Sequence, residues 1–296
     1  MNDIVPVILA TLATGLPLFL IASGLTLIFS VMRVLNFAHG ALFMIGAYLV
    51  VSLLSGRSVA VPVFTGAVLV TGIAVGAMSV VTERVVFRRL YSAPEVVGLL
   101  ASFALLLILS GIVQEVWGPD PRTQAQAQGL GGVVQIFGNQ VTSYNIVLIV
   151  VAAVIGLALA AVLRWTKVGA MVKATAEDRV MAEALGINVT WVALGVFAVG
   201  GLLAGLAGSL LAPTLSIDPS LALTFIIESF GAIIIGGLGS VEGAVVGALV
   251  ISLVNAILVY AAPGLLDYGV YVAIGAVMLV RPYGIFGATA RRTVAA

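Results

Sequence analysis

The chain has 296 residues, of which 62% are hydrophobic and 8% are charged, and its formal net charge is +1. A soluble domain carries about 25% charged residues, so this composition excludes a water-soluble protein and indicates that the lipid bilayer is the solvent. The lack of cysteine excludes disulfides and thiolate metal sites. The predicted fold class is an all-α polytopic membrane protein with a single transmembrane domain over residues 1–296.

Nine apolar runs follow one another along the chain and are the candidate membrane crossings. They cover residues 4–32, 37–55, 60–82, 96–114, 146–163, 191–213, 221–238, 243–262 and 267–281. Because a membrane helix needs roughly 20 apolar residues, the chain has room for about eight to ten transmembrane helices. The second, seventh and ninth runs are short, which is typical of broken or re-entrant segments buried in protein. The first run is longer than the apolar core of a cleaved signal, so we expect a retained span.

The distribution of Lys and Arg predicts the orientation of the chain. If the apolar runs alternate in direction, Arg57 and Arg122 face one side and the other eleven of the 13 basic residues face the opposite side. Those eleven are Arg33, Arg84, Arg88, Arg89, Arg164, Lys167, Lys173, Arg179, Arg281, Arg291 and Arg292. Since cytoplasmic loops carry the excess of Lys and Arg, we expect the N-terminus outside and the C-terminus in the cytoplasm.

Residues 115–145 form the largest segment on the predicted outer side, and they are polar and rich in Gln and Gly. Two β-prone stretches, 133–137 and 140–143, flank Gly138-Asn139, a pattern that predicts a hairpin with a two-residue turn. A structured outer segment fits contact with an extracytoplasmic partner. A simple connector between two helices fits the composition equally well.

Residues 164–188 form a long polar break on the predicted cytoplasmic side. Apolar residues recur there at four-residue spacing: Val172, Ala176, Val180 and Ala184. This stripe is weak, so we expect two short helices rather than one, ended at Leu185-Gly186-Ile187 with Gly186 in the left-handed conformation. Lys173, Glu177 and Glu183 would provide polar contacts. The segment is interpreted as a docking surface for a cytoplasmic partner, with a solvated loop as the alternative.

Three polar residues within or beside apolar runs are candidates for a pathway or gating role. Glu228 lies well inside the run 221–238, and an ionised carboxylate in hydrocarbon must face water, a cavity or a partner. The alternative for Glu228 is a structural hydrogen bond to backbone or to a neighbouring subunit. Asn36 and His39 stand at the start of the second run, where they could satisfy freed backbone groups or cap the helix.

Enzyme chemistry is not expected from this sequence. The glycine-rich stretch Gly236-Gly-Leu-Gly-Ser-Val-Glu-Gly243 lacks the lysine of a phosphate-binding loop, so any ATP hydrolysis belongs to another subunit. His39 is the sole histidine, no residues have metal-ligand spacing, and no cofactor is predicted. Glycines at Gly201, Gly205, Gly208, Gly243 and Gly247 are interpreted as close helix-packing positions rather than as ligand contacts.

Four stretches, in order along the chain, resemble signatures of the branched-chain amino acid ABC importer permeases (the LivH-like family). The first is Asn36-Phe-Ala-His-Gly-Ala-Leu-Phe-Met-Ile-Gly-Ala-Tyr48, and the second is Ala174-Thr-Ala-Glu-Asp-Arg-Val-Met-Ala-Glu-Ala-Leu-Gly-Ile-Asn188. The third is Glu228-Ser-Phe-Gly-Ala-Ile-Ile-Ile-Gly-Gly-Leu-Gly-Ser240, and the fourth is Arg281-Pro-Tyr-Gly-Ile-Phe-Gly287. One departure is Ala41, where relatives often carry an acidic or hydroxyl residue, which puts a substrate contact there in doubt.

The resemblance implies a permease subunit of a binding-protein-dependent importer in the bacterial inner (plasma) membrane, for branched-chain or other small amino acids. Implied partners are cytoplasmic ATPase subunits, a second permease subunit and an extracytoplasmic substrate-binding protein, but no nucleic acid. The cytoplasmic segment 164–190 is then the ATPase coupling segment. Its candidate contacts are Lys173, Glu177, Asp178, Glu183 and Gly186. Alternatives are a permease of the same family for urea or short amides, and a stand-alone channel or secondary carrier, which would not need such a docking segment.

Overall fold

A computed structural model describes residues 4–91, 93–136 and 138–286. Within these residues the chain forms eleven α-helices. They are α1 (Ile4–Met32), α2 (Ala38–Leu54), α3 (Val61–Val85), α4 (Glu95–Trp117), α5 (Ser143–Trp165), α6 (Lys167–Glu177), α7 (Arg179–Ala184), α8 (Val189–Leu211), α9 (Leu221–Gly236), α10 (Val241–Ala261) and α11 (Leu266–Val280). The described chain also contains two strands, β1 (Val133–Ile136) and β2 (Asn139–Thr142), and three short 3-10 helices, Phe87–Leu90, Ala212–Thr214 and Pro263–Leu265.

Each of the nine predicted apolar runs becomes one helix, and α6 and α7 occupy the polar break between the fifth and sixth runs. Six of the described helices, α1, α3, α4, α5, α8 and α10, are long and apolar enough to cross a membrane. The three shorter apolar helices, α2, α9 and α11, correspond to the runs predicted to be short. The predicted class, an all-α polytopic membrane protein, is therefore confirmed.

The short helix α2 lies at the centre of the bundle, where it packs against α8, α9, α3 and α4. Its burial continues around the whole helix, from Ala41 and Phe43 to Tyr48, all of which are fully buried. The outer helices instead present large apolar side chains, with Leu100 of α4 62% exposed and Leu157 of α5 70% exposed. Such surfaces are stable in hydrocarbon and costly in water, so they are the lipid-facing sides of the bundle.

The glycines of α8 permit this close packing, as their spacing predicted. A Cβ atom added to Gly46 of α2 would lie only 2.7 Å from the carbonyl oxygen of Gly205, and one added to Gly208 would overlap the backbone of Phe43. In α10, Cβ atoms at Gly243 and Gly247 would likewise overlap backbone atoms of α9. Small residues at these positions bring the helix backbones into direct contact.

The hairpin predicted between residues 133 and 143 is present, but its turn lies one residue earlier than expected. Ile136 pairs with Asn139, so Asn139 belongs to β2 rather than to the turn. Gly138 has a φ of +80°, the left-handed conformation that a tight hairpin turn needs and that glycine adopts without strain. The predicted strand residue Phe137 lies outside the described residues.

Candidate functional site

The segment between α5 and α8 folds as two short helices, as its weak apolar stripe predicted. The Thr166 hydroxyl accepts a hydrogen bond from the Gly169 amide at 3.2 Å and caps α6. The Asp178 carboxylate accepts one from the Met181 amide at 3.0 Å and caps α7. Because Asp178 ends one helix and begins the next, the chain changes direction there. The four predicted stripe residues therefore do not share one face: Val172 is buried, whereas Val180 is 77% exposed.

The predicted helix stop at Leu185-Gly186-Ile187 is confirmed. Gly186 has a φ of +84°, and its amide donates to the Glu183 carbonyl at 3.0 Å. The Ile187 amide donates to the Ala182 carbonyl, also at 3.0 Å. This pair of hydrogen bonds satisfies the free carbonyls at the end of α7. Gly186 therefore has a defined structural role in ending the segment.

Two arginines attach this helix pair to the membrane bundle. Arg33, which follows α1 with a left-handed φ of 56°, donates from Nη2 to the Ala176 carbonyl of α6 at 2.8 Å. The guanidinium of Arg179, the first residue of α7, lies over the ring of Tyr91, 5.3 Å from its centroid. The position of α6 and α7 is thus set by contacts with α1 and with the chain that follows α3.

Tyr91 is itself fixed by a charged network at the end of α3. Its hydroxyl donates to the Glu83 carboxylate, which is fully buried and also accepts from Arg88 at 3.0 Å. Burial, together with the hydrogen bond to Glu83, raises the pKa of Tyr91 well above its usual value. The phenol therefore stays protonated, serves as a donor, and keeps a neutral aromatic face beneath Arg179.

The five candidate coupling residues are exposed along α6 and α7. Lys173 and Glu177 lie on α6, Asp178 is the cap described above, and Glu183 forms an ion pair with Arg179 at 3.4 Å. Beside these charges, α7 exposes large apolar side chains, including Met181 at 57% and Leu185 at 73%. Large apolar side chains exposed among charged neighbours are typical of a protein-binding surface.

Asn36 and His39 do not cap α2, contrary to one of the two structural roles predicted for them. The residue before α2 is Phe37, and no side chain bonds to the first amides of the helix. His39 is fully buried and its Nε2 lies 3.1 Å from the carbonyl of Ile21 in α1, so it joins two helices. Asn36 is 1% exposed, and its Oδ1 has no hydrogen-bond partner among the described residues.

Glu228 lies in a crevice of about 490 Å³ between α9, α10 and α11. Thr224, Asn255 and Tyr271 also line it, and Asn255 Oδ1 is another buried acceptor without a partner in the described chain. The Glu228 side chain is partly exposed, and the described residues donate no hydrogen bond to it. A structural hydrogen bond to this chain's own described backbone is therefore not the reason for its presence.

The three candidate pathway residues do not meet in one site. Asn36 lines a separate cavity at the end of α1, His39 is enclosed between helices, and Glu228 faces the crevice. Asn255 was missed by the sequence reasoning, although a lone amide within the apolar run 243–262 was visible there. Across residues 4–91, 93–136 and 138–286, no group of three or more His, Asp and Glu side chains could hold a metal ion.

Basic residues divide between the two ends of the bundle. Arg33, Arg88 and Arg179 meet at one end, and Arg164 lies 3.8 Å from Glu242 at the start of α10 on the same end. At the other end, Arg122 exchanges backbone hydrogen bonds with Ile217 at 2.8 Å. The charge asymmetry read from the sequence is thus an asymmetry of the folded chain, although Arg291 and Arg292 lie outside the described residues.

A helical bundle with apolar outer faces, a polar crevice and a helix pair docked at one end defines the class of multi-pass membrane proteins. The particular family follows from comparison with known proteins. Residues 7–281 match the family model of the branched-chain amino acid transport system permease component, and the chain belongs to this family.

Several curated relatives resemble the chain along nearly their whole length. LivH of Escherichia coli K12, a high-affinity branched-chain amino acid transport system permease protein, is 29% identical over 279 residues, 90% of each chain. BraD of Pseudomonas aeruginosa, named in the same way, is 30% identical over 93% of each chain. A probable LivH of Methanocaldococcus jannaschii is 30% identical over 91% of this chain and 88% of its own. No solved structure matches.

Proposed function

We propose that this chain is the transmembrane permease subunit of a binding-protein-dependent ABC importer for branched-chain or other small amino acids. The observation that carries the proposal is the family match, which runs through all nine apolar helices. The relatives are named for branched-chain amino acids, which favours these substrates over urea and short amides. ATP hydrolysis belongs to separate ATPase subunits.

In the proposed topology the nine apolar helices all cross the bilayer, within the range of eight to ten expected from composition. The short helices α2, α9 and α11 do so inside or beside the bundle, where protein rather than lipid surrounds their ends. The N-terminus lies outside, and the C-terminus lies in the cytoplasm of a bacterial inner membrane. Segment 115–145 then faces the substrate-binding protein, and segment 164–190 faces the cytoplasm. The positive-inside rule supports this orientation.

The α6–α7 pair is the proposed docking site for the ATPase. Lys173, Glu177 and Glu183 supply exposed charges, and the apolar side chains of α7 supply area that a partner would bury. Asp178 and Gly186 act by fixing the helix ends. Because Arg33 and Arg179 attach the pair to the bundle, movement of the docked ATPases would be transmitted to α1 and α3. A stand-alone channel or carrier has no use for this surface.

The crevice at Glu228 is proposed to form part of the substrate pathway. Its partly open side would be completed by a second permease subunit, the same chain or a related one. Closure of the ATPase pair on binding ATP would then switch the paired permeases between outward-open and inward-open states. His39 and Asn36 would serve this switch by joining α2 to α1 and by lining the cavity at the cytoplasmic end of α1.

A charge reversal on α6 tests the docking surface. Glu177→Arg should leave membrane insertion unchanged, lower the recovery of co-purified ATPase and reduce ATP-driven leucine uptake about tenfold. The reason is that like charges placed opposite each other at an interface cost on the order of several kcal/mol of binding free energy. Asp120→Arg, a reversal at another exposed position at the opposite end of the bundle, is the matched control and should leave ATPase recovery unchanged. Normal ATPase recovery and uptake in Glu177→Arg would refute the docking assignment.

A further inference from the structure

A second cavity, separate from the Glu228 crevice, lies at the end of the bundle that carries α6 and α7. Its volume is about 170 Å³, and its walls come from the end of α1, the 87–91 turn, α4, α7 and α8. It shares no lining residue with the Glu228 crevice. A cavity of this size holds several water molecules, and it suits one small metabolite.

One wall of this cavity carries an unsatisfied acceptor. Asn36 is 1% exposed, and its Oδ1 has no hydrogen-bond partner within the described residues. A buried amide oxygen left without a donor destabilises the fold. Ser102 of α4 fixes the linker beside Asn36: its hydroxyl accepts from the Phe37 amide at 3.1 Å and shares its single hydrogen between the carbonyls of Leu99 at 2.8 Å and Leu35 at 3.1 Å. Asn36 lines the cavity, so a ligand that brings an N–H group is a candidate donor for this oxygen.

The charged groups around the cavity have both signs. Arg33 and Arg179 line it, and a guanidinium has five N–H donors, of which the Arg33 side chain uses one for Ala176. Glu95, at the first position of α4, also lines the cavity and forms no ion pair with any described side chain. The rest of the wall is apolar and includes Ile28 and Phe197.

We propose that this cavity binds one zwitterionic α-amino acid with an aliphatic side chain, entering from the face that carries α6 and α7. The carboxylate would pair with the guanidinium groups of Arg33 and Arg179, which match it in charge and geometry. The ammonium group would donate to Glu95 and to Asn36 Oδ1, and the aliphatic side chain would pack against Ile28 and Phe197. A simple anion would leave Glu95 and Asn36 unsatisfied, and a simple amine would leave the arginines unsatisfied.

Because of the position of the cavity, a bound amino acid would affect transport, an inference that rests on the proposed function. Arg179 belongs to α7, whereas Arg33 and Glu95 belong to the membrane bundle, so a bound amino acid would tie the coupling segment to the bundle. A protein that must move α7 to transport would then be slowed when its product accumulates in the cytoplasm. The site is therefore a device for product inhibition.

Binding can be tested without transport, using the purified full chain in nanodiscs and radiolabelled L-leucine. Unlabelled isoleucine and valine should compete, whereas isocaproate, isoamylamine and inorganic phosphate should not, because each lacks one of the charged groups or the side chain. Glu95→Gln should weaken leucine binding about tenfold or more, as expected for the loss of a charged hydrogen-bond partner. Glu115→Gln, at the other end of the same helix, is the matched control and should bind normally.

The Glu228→Gln variant distinguishes leucine binding in this cavity from leucine binding in the Glu228 crevice. If Glu228→Gln abolishes leucine binding while Glu95→Gln does not, the amino acid occupies the crevice, and the proposal is wrong. Equal competition by isocaproate, or no saturable leucine binding up to millimolar concentration, also overturns it.

Product inhibition is measured on the assembled complex as the ratio of ATP hydrolysis with and without leucine on the ATPase side. This ratio should fall in the parent protein and stay near one in Glu95→Gln. Loss of ATPase association with retained leucine binding would refute the proposed function but not this site.

Discussion

Glu228 is the residue whose surroundings say most about where a solute would pass. It lies inside an apolar helix, faces a crevice of about 490 Å³, and receives no hydrogen bond from the described residues. An ionised carboxylate accepts hydrogen bonds at both oxygens and is costly to leave unpaired in the membrane. Water, a partner subunit or the ammonium group of a substrate must therefore meet it.

This placement leads to a prediction for Glu228→Gln, which keeps the size of the side chain but removes its charge. Uptake per assembled complex should fall about tenfold or more, because a hydrogen bond to a charged group is worth roughly 1.5–3 kcal/mol. Glu242→Gln is the matched control: that side chain is 76% exposed, and exposed charges contribute little. Uptake in Glu228→Gln equal to that of Glu242→Gln, at matched abundance, would show that the carboxylate is not on the pathway.

Single residues could be predicted from the sequence to different degrees. Glu228 was visible as the one charge within its apolar run, and Gly186 as a helix stop, because both depend on local sequence. The contact of His39 with Ile21 was not visible from the sequence, since the two residues are distant along the chain. The same holds for Ser102, which binds the backbone on both sides of Asn36. The capping role expected of these two residues was wrong because the chain enters α2 through Phe37, without a side-chain cap.

At the scale of elements, the α6–α7 pair depends on caps as well as on packing. Val172 and Ala182 are its buried apolar contacts, whereas Val180, Met181 and Leu185 of the same segment are all exposed. Asp178 and Gly186 define the beginning and the end of α7, which has only six residues. A helix this short is not stable alone in water, so its caps and the Arg179–Tyr91 contact decide whether a docking surface exists.

Two substitutions of Asp178 separate capping from charge recognition. Asp178→Asn keeps an oxygen that can accept from the Met181 amide, so α7 and coupling should persist. Asp178→Ala removes the cap, which costs about 1 kcal/mol, and should speed amide hydrogen exchange in α7 about fivefold and weaken coupling. Exchange is read by mass spectrometry and coupling as uptake per ATP hydrolysed. Equal loss of coupling in both variants would instead assign the role of Asp178 to its charge.

The membrane helices could be predicted well from the sequence, because the bilayer restricts which backbone structures can span it. A lipid-exposed segment must satisfy its own backbone groups, so each long apolar run becomes a helix. The ends were less predictable: α4 extends to Trp117 and α5 begins at Ser143, beyond the apolar runs, because polar residues also continue a helix outside the hydrocarbon. The hairpin turn was misplaced by one residue, since Gly138 and Asn139 are both acceptable turn residues and the strand register decides between them.

For the whole molecule, the two ends of the bundle differ in charge and in architecture. One end carries Arg33, Arg88, Arg164, Arg179 and the α6–α7 pair, whereas the other carries Arg57, Arg122 and the hairpin. Nine helices that alternate in direction are consistent with this difference between the two ends, since the C-terminal end of α5 and the start of α10 meet at the Arg164–Glu242 contact. Which end faces the cytoplasm follows from the positive-inside rule and is open to direct measurement.

Because the sequence contains no cysteine, single introduced thiols report sidedness without background. Ala125→Cys lies in the segment with the hairpin, and Lys173→Cys lies on α6; both positions are exposed. A membrane-impermeant maleimide added to intact spheroplasts should label position 125 and spare position 173, which should become reactive only after the membrane is permeabilised. Ser58→Cys, near the hydrogen bond from Ser58 to the Gln126 carbonyl, is a second reporter for the outer end. Labelling of position 173 in intact spheroplasts, with 125 protected, would reverse the orientation and place the α6–α7 pair where no ATPase could reach it.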